Sequence, residues 1–159
     1  MELEKEETNI ILKEIEEIRT KYPDSRSALL PALYVAQKEL GWLSRGAIKA
    51  VADALNLPES YVRGTASFYS MFRLKPAGRN LIQLCTNISC MILGAERLQD
   101  LLQERYGLAP GGTTEDGRFS LVIMECIGAC GTAPAMLVNT DLHENLTEHN
   151  IPEILEKYK

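Results

Sequence analysis

The chain of 159 residues has four cysteines, and they come in two pairs. Cys85 and Cys90 lie in "LCTNISCMILGAERL", and Cys126 and Cys130 lie in "VIMECIGACGTAPAML", each pair at the end of an apolar run. Clustered thiols act as metal ligands, as redox dithiols or as structural disulfides. The N-terminus "MELEKEETN" is charged where a secretory signal would be apolar, and no apolar run approaches the roughly 20 residues that span a bilayer. The expected compartment is therefore the cytoplasm, where glutathione and thioredoxin keep thiols reduced. Metal ligation or redox chemistry is favoured over disulfides.

Spacing separates the remaining chemistries. Structural zinc most often uses pairs two residues apart, and a dithiol oxidoreductase uses C-x-x-C with an attacking and a resolving thiol. Here the pairs are C-x4-C and C-x3-C, with 35 residues between them. A 2Fe-2S cluster has no such restriction, because each iron takes two thiolates and each pair can come from its own loop. The plant-type run C-x4-C-x2-C is not matched, since no cysteine follows Cys90 at the right distance.

The elements that must position these thiols change character along the chain. "NIILKEIEEIRTKY" carries a helical stripe at Ile10, Ile11, Ile15 and Ile18. "DSRSALLPALYVAQKELGWL" continues with Leu29, Leu33, Val35 and Leu40, with Asp24 or Ser25 as a cap, Pro31 in the first turns and a stop at Gly41. A third helix is capped by Ser44 and ends near Pro58, and a shorter one is capped by Glu59 or Ser60. "RLKPAGRN" then breaks the period as a linker would.

Beyond it, "NLIQLCT" is a short β-run, "MILGAERLQDLLQERYG" an amphipathic helix closing at Gly107, and "GRFSLVIMEC" a buried strand. "PAMLVNTDLHENL" suggests a hairpin around Asn139 to Asp141, and "NIPEILEKY" a terminal helix with Pro152 in its first turn. The expected fold is α+β: a small helical bundle over residues 1–75, then a thioredoxin-like α/β domain over 80–159 with a four-stranded mixed sheet. Parallel strands joined through a helix, with a hairpin supplying antiparallel edges, follow that plan. Both cysteine pairs would then sit at the C-terminal ends of neighbouring strands, where open α/β sheets bind ligands. Cys90 would lie near a helix N-terminus, whose dipole favours thiolate.

Composition narrows the partners. With 22 acidic against 17 basic residues and a formal charge of −5, no basic stripe supports nucleic-acid binding, so proteins are the expected partners. "PGGTTEDG" lacks the strand-turn-helix context of a phosphate loop, which argues against NAD or flavin bound to this chain itself.

The C-x4-C and C-x3-C pairs, "VRGTASFYSMF" (Val62 to Phe72) and "CIGACGTAPAMLVN" (Cys126 to Asn139) together resemble the small thioredoxin-like 2Fe-2S subunit of the NADH dehydrogenase module. That subunit belongs to respiratory complex I, with relatives in NAD-linked hydrogenases and formate dehydrogenases. The resemblance runs from about Ile10 to Tyr158. It implies one 2Fe-2S cluster, with Cys85 and Cys90 on one iron and Cys126 and Cys130 on the other. It also implies single-electron transfer beside a partner subunit that carries FMN and binds NAD, within an oxidoreductase complex at the cytoplasmic face of a membrane. A zinc-stabilised assembly module and a thiol enzyme are the readings from other classes.

Other residues carry simpler expectations. Gly128 and Gly131 would admit positive φ and let backbone N–H groups approach the cluster, with Thr86, Ser89 and Thr132 as hydroxyl donors. Phe68, Tyr69, Met71 and Phe72 read as helix-packing core, and Trp42 as a buried anchor between helices. His143 and His149 read as solvated, and the acidic run "ELEKEE" as a solvated, frayed terminus.

Overall fold

The computed structural model describes the backbone from Lys5 to Lys159 and the side chains from Ile10 onward. The acidic run at residues 2–7 thus lies outside the described side chains. The chain divides into two compact units, Met1–Pro76 and Ala77–Lys159.

The first unit contains α1 (Lys5–Arg19), α2 (Leu29–Leu40), α3 (Arg45–Leu55) and α4 (Glu59–Phe68). Helical spacing places Ile11 and Ile15 of α1, Leu29, Leu33 and Ala36 of α2, Ile48, Val51 and Leu55 of α3, and Val62 and Ala66 of α4 in one core. Ile10 faces outward and Val35 is only partly buried, so the apolar stripes are narrower than the sequence suggests. Ser44 caps α3 by accepting from the Ala47 N–H, and Gly41 closes α2 at φ 76°.

Two caps differ from expectation. Asp24 accepts from the Ser27 N–H and hydroxyl in a turn one step earlier, and α2 starts only at Leu29 without a side-chain cap. Pro58, not Glu59 or Ser60, is the N-cap of α4. Proline at the rim removes a donor that the first turn would leave unpaired in any case. After α4 the chain is tied back by buried Gln37. Its amide donates to the Met71 carbonyl (2.9 Å) and accepts from the Arg73 N–H (2.6 Å).

The second unit is a sheet of β1 (Asn80–Cys85), β2 (Phe119–Met124), β3 (Met136–Val138) and β4 (Asp141–His143), with α5 (Ile88–Ile92), α6 (Ala95–Tyr106) and α7 (Asn150–Leu155). The strand order is β2-β1-β3-β4. β1 and β2 are parallel and in register from Asn80 opposite Phe119 to Cys85 opposite Met124. β3 runs antiparallel to β1, and β4 antiparallel to β3. Ile82 and Leu84 of β1, Phe119 and Leu121 of β2, Leu98 and Leu102 of α6 and Ile151 of α7 are among the residues of its own core.

The expected single helix after Cys90 is two. Gly94, at φ 102°, ends α5, and α6 starts afresh at Ala95 and stops at Gly107 in the left-handed region. The unit also begins before β1. The Gly78 N–H donates to Ser120 Oγ (2.7 Å) and the Arg79 N–H to the Gly117 carbonyl (2.9 Å). A Cβ on Gly78 would stand 2.8 Å from the Phe119 carbonyl carbon, so this glycine is required by close packing.

Asn139, at φ 58°, makes the β3–β4 turn. Its side chain accepts from the Leu81 N–H (2.9 Å) and donates to Asn80 Oδ1 (3.0 Å), which pins the hairpin to β1. At the other edge the Arg118 guanidinium donates to the carbonyls of Leu155 (2.7 Å) and Tyr158 (2.6 Å), satisfying acceptors that the end of α7 leaves free.

Candidate metal centre

Parallel pairing in register puts the C-terminal ends of β1 and β2 side by side, and both cysteine pairs follow from those ends. Cys85 is the last residue of β1, and its N–H donates to the Ala135 carbonyl (3.1 Å). Two residues on, the chain turns into α5, which presents Cys90 at its third position. Cys126 stands two residues past the end of β2, and Cys130 opens a single 3-10 turn, Cys130–Thr132, before the chain enters β3. All four are free thiols.

The two pairs have different surroundings. Cys85 and Cys90 are each 2% exposed and pack with Ala95, Ile127 and Ala133 in a small apolar cluster, whereas Cys126 and Cys130 are exposed. Burial pushes the Cys90 thiol up from its ordinary value. The Ala135 N–H facing its sulfur opposes that rise, and the neighbouring Cys85 and Cys130 thiols add to it. A five-residue helix has little of the dipole that would favour thiolate at Cys90. The same neighbours show that Cys85 and Cys130 both lie within electrostatic reach of Cys90.

Around the exposed pair the loop geometry is partly as expected. Gly128 adopts φ 82°, and its N–H points at the Cys126 sulfur at 3.4 Å. Gly131 is not in the left-handed region, so it does not adopt the positive φ read from the sequence, and a Cβ there would meet no protein atom within 4 Å. Thr132 is committed elsewhere: its hydroxyl donates to the Glu144 carboxylate, with the Ala129 carbonyl as a longer alternative acceptor for the same proton. The Ala135 N–H and the Ala95, Ile127 and Ala133 walls were not foreseen. No side-chain chemistry marks them, and only the fold brings them to the sulfurs.

The donor set suits iron and sulfide: four thiols, on two loops at one end of a sheet, two of them in an apolar wall and two met by a backbone N–H. Among the described residues no group of three or more His, Cys, Asp or Glu side chains is spaced to hold a single metal ion. The histidines do not contribute. His149 is exposed, and half-buried His143 instead meets the Tyr158 hydroxyl at 2.7 Å. Tyr158 in turn donates to Asp141 Oδ2 (2.8 Å). His143 is therefore not simply solvated.

The aromatic expectations also change. Phe72 is buried, but Phe68 is 81% exposed, and Tyr69 and Met71 are exposed too. Trp42 is only partly buried and lies outside the core. Phe68 is the last residue of α4 and stands two positions from buried Ala66, on the opposite side of the helix, while Trp42 follows the Gly41 stop of α2, so neither lies on a core-facing stripe.

Comparison with known proteins agrees with this geometry. The model of the family described as thioredoxin-like [2Fe-2S] ferredoxin matches residues 15–159. The NADH-quinone oxidoreductase subunit designated E from Escherichia coli (strain K12) is 44% identical over 138 residues, which are 87% of this chain and 83% of that protein. Its counterpart of the same designation from Salmonella typhimurium is 43% identical over 145 residues, 91% of this chain and 87% of that protein. The one designated E 2 from Rhizobium meliloti is 43% identical over 147 residues, 92% and 88% of the two chains. Among solved structures, a chain of an NAD+-reducing [NiFe]-hydrogenase in the air-oxidized state superposes with a TM-score of 0.72 at 29% identity. That match covers 81% of this chain but spans only 22% of the hydrogenase chain. With its parallel β1–β2 pair, its two cysteine loops at one sheet end and a family match over most of its length, the chain belongs to the thioredoxin-like [2Fe-2S] ferredoxin family.

Proposed function

We propose that this chain is the 2Fe-2S electron-transfer subunit of an NADH:quinone oxidoreductase-type complex, with Cys85, Cys90, Cys126 and Cys130 as the ligands. The observation that carries the reading is the in-register β1–β2 pair, which delivers both thiol pairs to one sheet end. When bound, the cluster supplies a one-electron acceptor and donor. The rest is done by the chain. Cys85 and Cys90, set in the apolar wall of Ala95, Ile127 and Ala133, would give up their protons on ligation and hold one iron. Cys126 and Cys130, which are exposed, would hold the other. The N–H groups of Gly128 and Ala135 stabilise negative charge on sulfur, which favours the reduced state.

In this reading a neighbouring subunit binds FMN and NADH, and the first unit of this chain grips that neighbour. The NADH-quinone oxidoreductase relatives support the assignment. No helix among the described residues is long and apolar enough to cross a membrane; the proposed place is peripheral, on the cytoplasmic side of the complex. The hydrogenase match supports a second reading, the equivalent subunit of an NAD-linked hydrogenase, and its lower identity ranks it second. Iron, acid-labile sulfide and zinc analysis of protein purified without oxygen tests the assignment. Iron and sulfide in equal amounts, two of each per chain, with no stoichiometric zinc, are expected. One zinc and no sulfide would falsify it.

A further inference from the structure

Thr132 stands two residues after Cys130, and the chain comes back to it just past the end of β4. The Thr132 hydroxyl donates to the Glu144 carboxylate, the Thr132 carbonyl accepts from the Asn145 N–H (2.7 Å), and the Pro134 carbonyl accepts from the Leu146 N–H (3.0 Å). Residues 144–146 thus form a strap along the loop that carries Cys130. The strap is itself held in place. Leu146 is buried in the core of the second unit, and Asn150 Nδ2 donates to the Asn145 carbonyl (3.1 Å). Asn145 makes the turn in the left-handed region, at φ 50°, which asparagine tolerates better than most residues. The strap also brings a charge. A quarter of the chain is Asp, Glu, Lys or Arg, yet Thr86 to Ala95 contains none, and neither does Cys126 to Thr140. Glu125 and Asp141 border the second stretch, and Asp141 is engaged by the Tyr158 hydroxyl. Glu144, by contrast, is tied by its side chain to the Cys130 loop, and among the described residues no ion pair includes it.

We infer that Glu144 is a positioning residue of the metal centre: held by Thr132, its carboxylate fixes a negative charge beside the Cys130 loop and lowers the reduction potential of the cluster bound there. The inference rests on the function proposed above. Four thiolates and two sulfides outweigh two ferric ions, so the oxidised centre is already anionic, and an added electron increases that charge. A carboxylate nearby opposes the electron by Coulomb repulsion, whereas the Gly128 N–H at the Cys126 sulfur acts in the opposite sense. The Thr132 hydroxyl matters because an exposed glutamate left free would spread its charge over many rotamers in water, where salt screens it. One bond holds that charge on the loop that bears a ligand.

The test is a reductive titration of the full-length chain with dithionite at fixed pH, followed by its visible spectrum. Glu144→Gln removes the charge and keeps an oxygen that can accept from the Thr132 hydroxyl. Thr132→Val releases the carboxylate with the charge count unchanged. Glu148→Gln, which removes the same charge from a hollow shared with Arg97 and Arg105, is the control. Glu144→Gln and Thr132→Val are each expected to raise the reduced-to-oxidised ratio at a given applied potential at least threefold, about 28 mV for one electron. Iron, sulfide and the oxidised spectrum stay as in the unaltered chain, Glu148→Gln shifts by less than that margin, and high salt shrinks the Glu144→Gln difference. An unshifted Glu144→Gln would overturn the inference and leave the proposed function standing. So would an equal shift in Glu148→Gln, which would assign the effect to net charge, and so would an unshifted Thr132→Val, which would remove the hydroxyl from the arrangement. Loss of iron from Glu144→Gln would mean that the strap only holds the loop together, and would overturn the redox role. An unaltered chain that assembles no iron and sulfide would overturn both the inference and the proposed function.

Discussion

At the scale of single residues the two thiol pairs differ in cost of removal. Cys126 and Cys130 are exposed, so Cys126→Ala or Cys130→Ala takes away a proposed ligand without opening a core cavity. Each variant is expected to lose the visible charge-transfer bands while keeping most of its helical circular dichroism, because the bundle has its own core. Wholesale loss of helix would show that the bundle depends on the cluster. Gly78 makes the opposite kind of prediction. Its missing Cβ faces backbone of Gly117 and Phe119, which cannot swing aside, so Gly78→Ala should destabilise by about 1–3 kcal/mol of overpacking strain. Urea unfolding measures it, and an unchanged midpoint would mean that the strand shifts freely.

At the scale of elements, the β3–β4 hairpin and the segment after α7 are joined by Asp141, Tyr158 and His143. Burial together with the bond to Asp141 pushes the Tyr158 phenol up to about 12, so it stays a donor at any working pH. With its proton given to Asp141, its oxygen accepts from His143 Nε2–H, which requires a ring nitrogen to carry that proton. Tyr158→Phe deletes both bonds and should cost about 1–2 kcal/mol in urea unfolding, on the scale of one or two net hydrogen bonds.

The pH dependence of this joint follows from His143. Burial lowers its pKa below the unfolded value, Asp141 opposes that shift and Lys157 adds to it. The unfolded chain then binds more protons between the two values. The contribution of His143 is fully present above the unfolded pKa of about 6.5 and is lost as pH falls toward the folded one. The stability difference between the unaltered chain and His143→Gln should accordingly shrink on acidification from pH 7 to pH 5.5 (approximate window set by that unfolded value). A constant difference across that range would separate His143 from the titration.

At the scale of the molecule, each unit has its own core, and every cysteine is in the second. A fragment of residues 77–159 is expected to assemble the cluster with an unaltered visible spectrum. The first unit carries no ligand, and its proposed role is to grip the flavin-bearing subunit. The fragment should therefore bind that subunit far more weakly than the whole chain and accept electrons from NADH through it inefficiently. Affinity of fragment against full-length protein decides the matter, and equal values would remove the grip from the bundle.

The sequence by itself determined the outline. Periods of 3.6 and 2 placed the bundle, the strands and the hairpin, because burial of one face sets the spacing of apolar residues locally. The four thiols were legible as a candidate site from their spacing alone, since a ligand's chemistry is written in its side chain. Decisions made by backbone geometry were not legible. Gly94 in the left-handed region split one expected helix into α5 and α6, which moved Met91, Ile92 and Leu93 from an expected helical face to solvent. Phe68 and Tyr69 at the end of α4, and Trp42 just past Gly41, were likewise left out of the core by backbone geometry that their residue types do not record. Tertiary structure alone decided that Cys85 and Cys90 are buried while Cys126 and Cys130 are not, that the Ala135 N–H faces Cys90, and that Thr132 bonds Glu144. Each depends on residues far apart in the chain meeting at one end of a sheet, and local periodicity carries no information about such meetings.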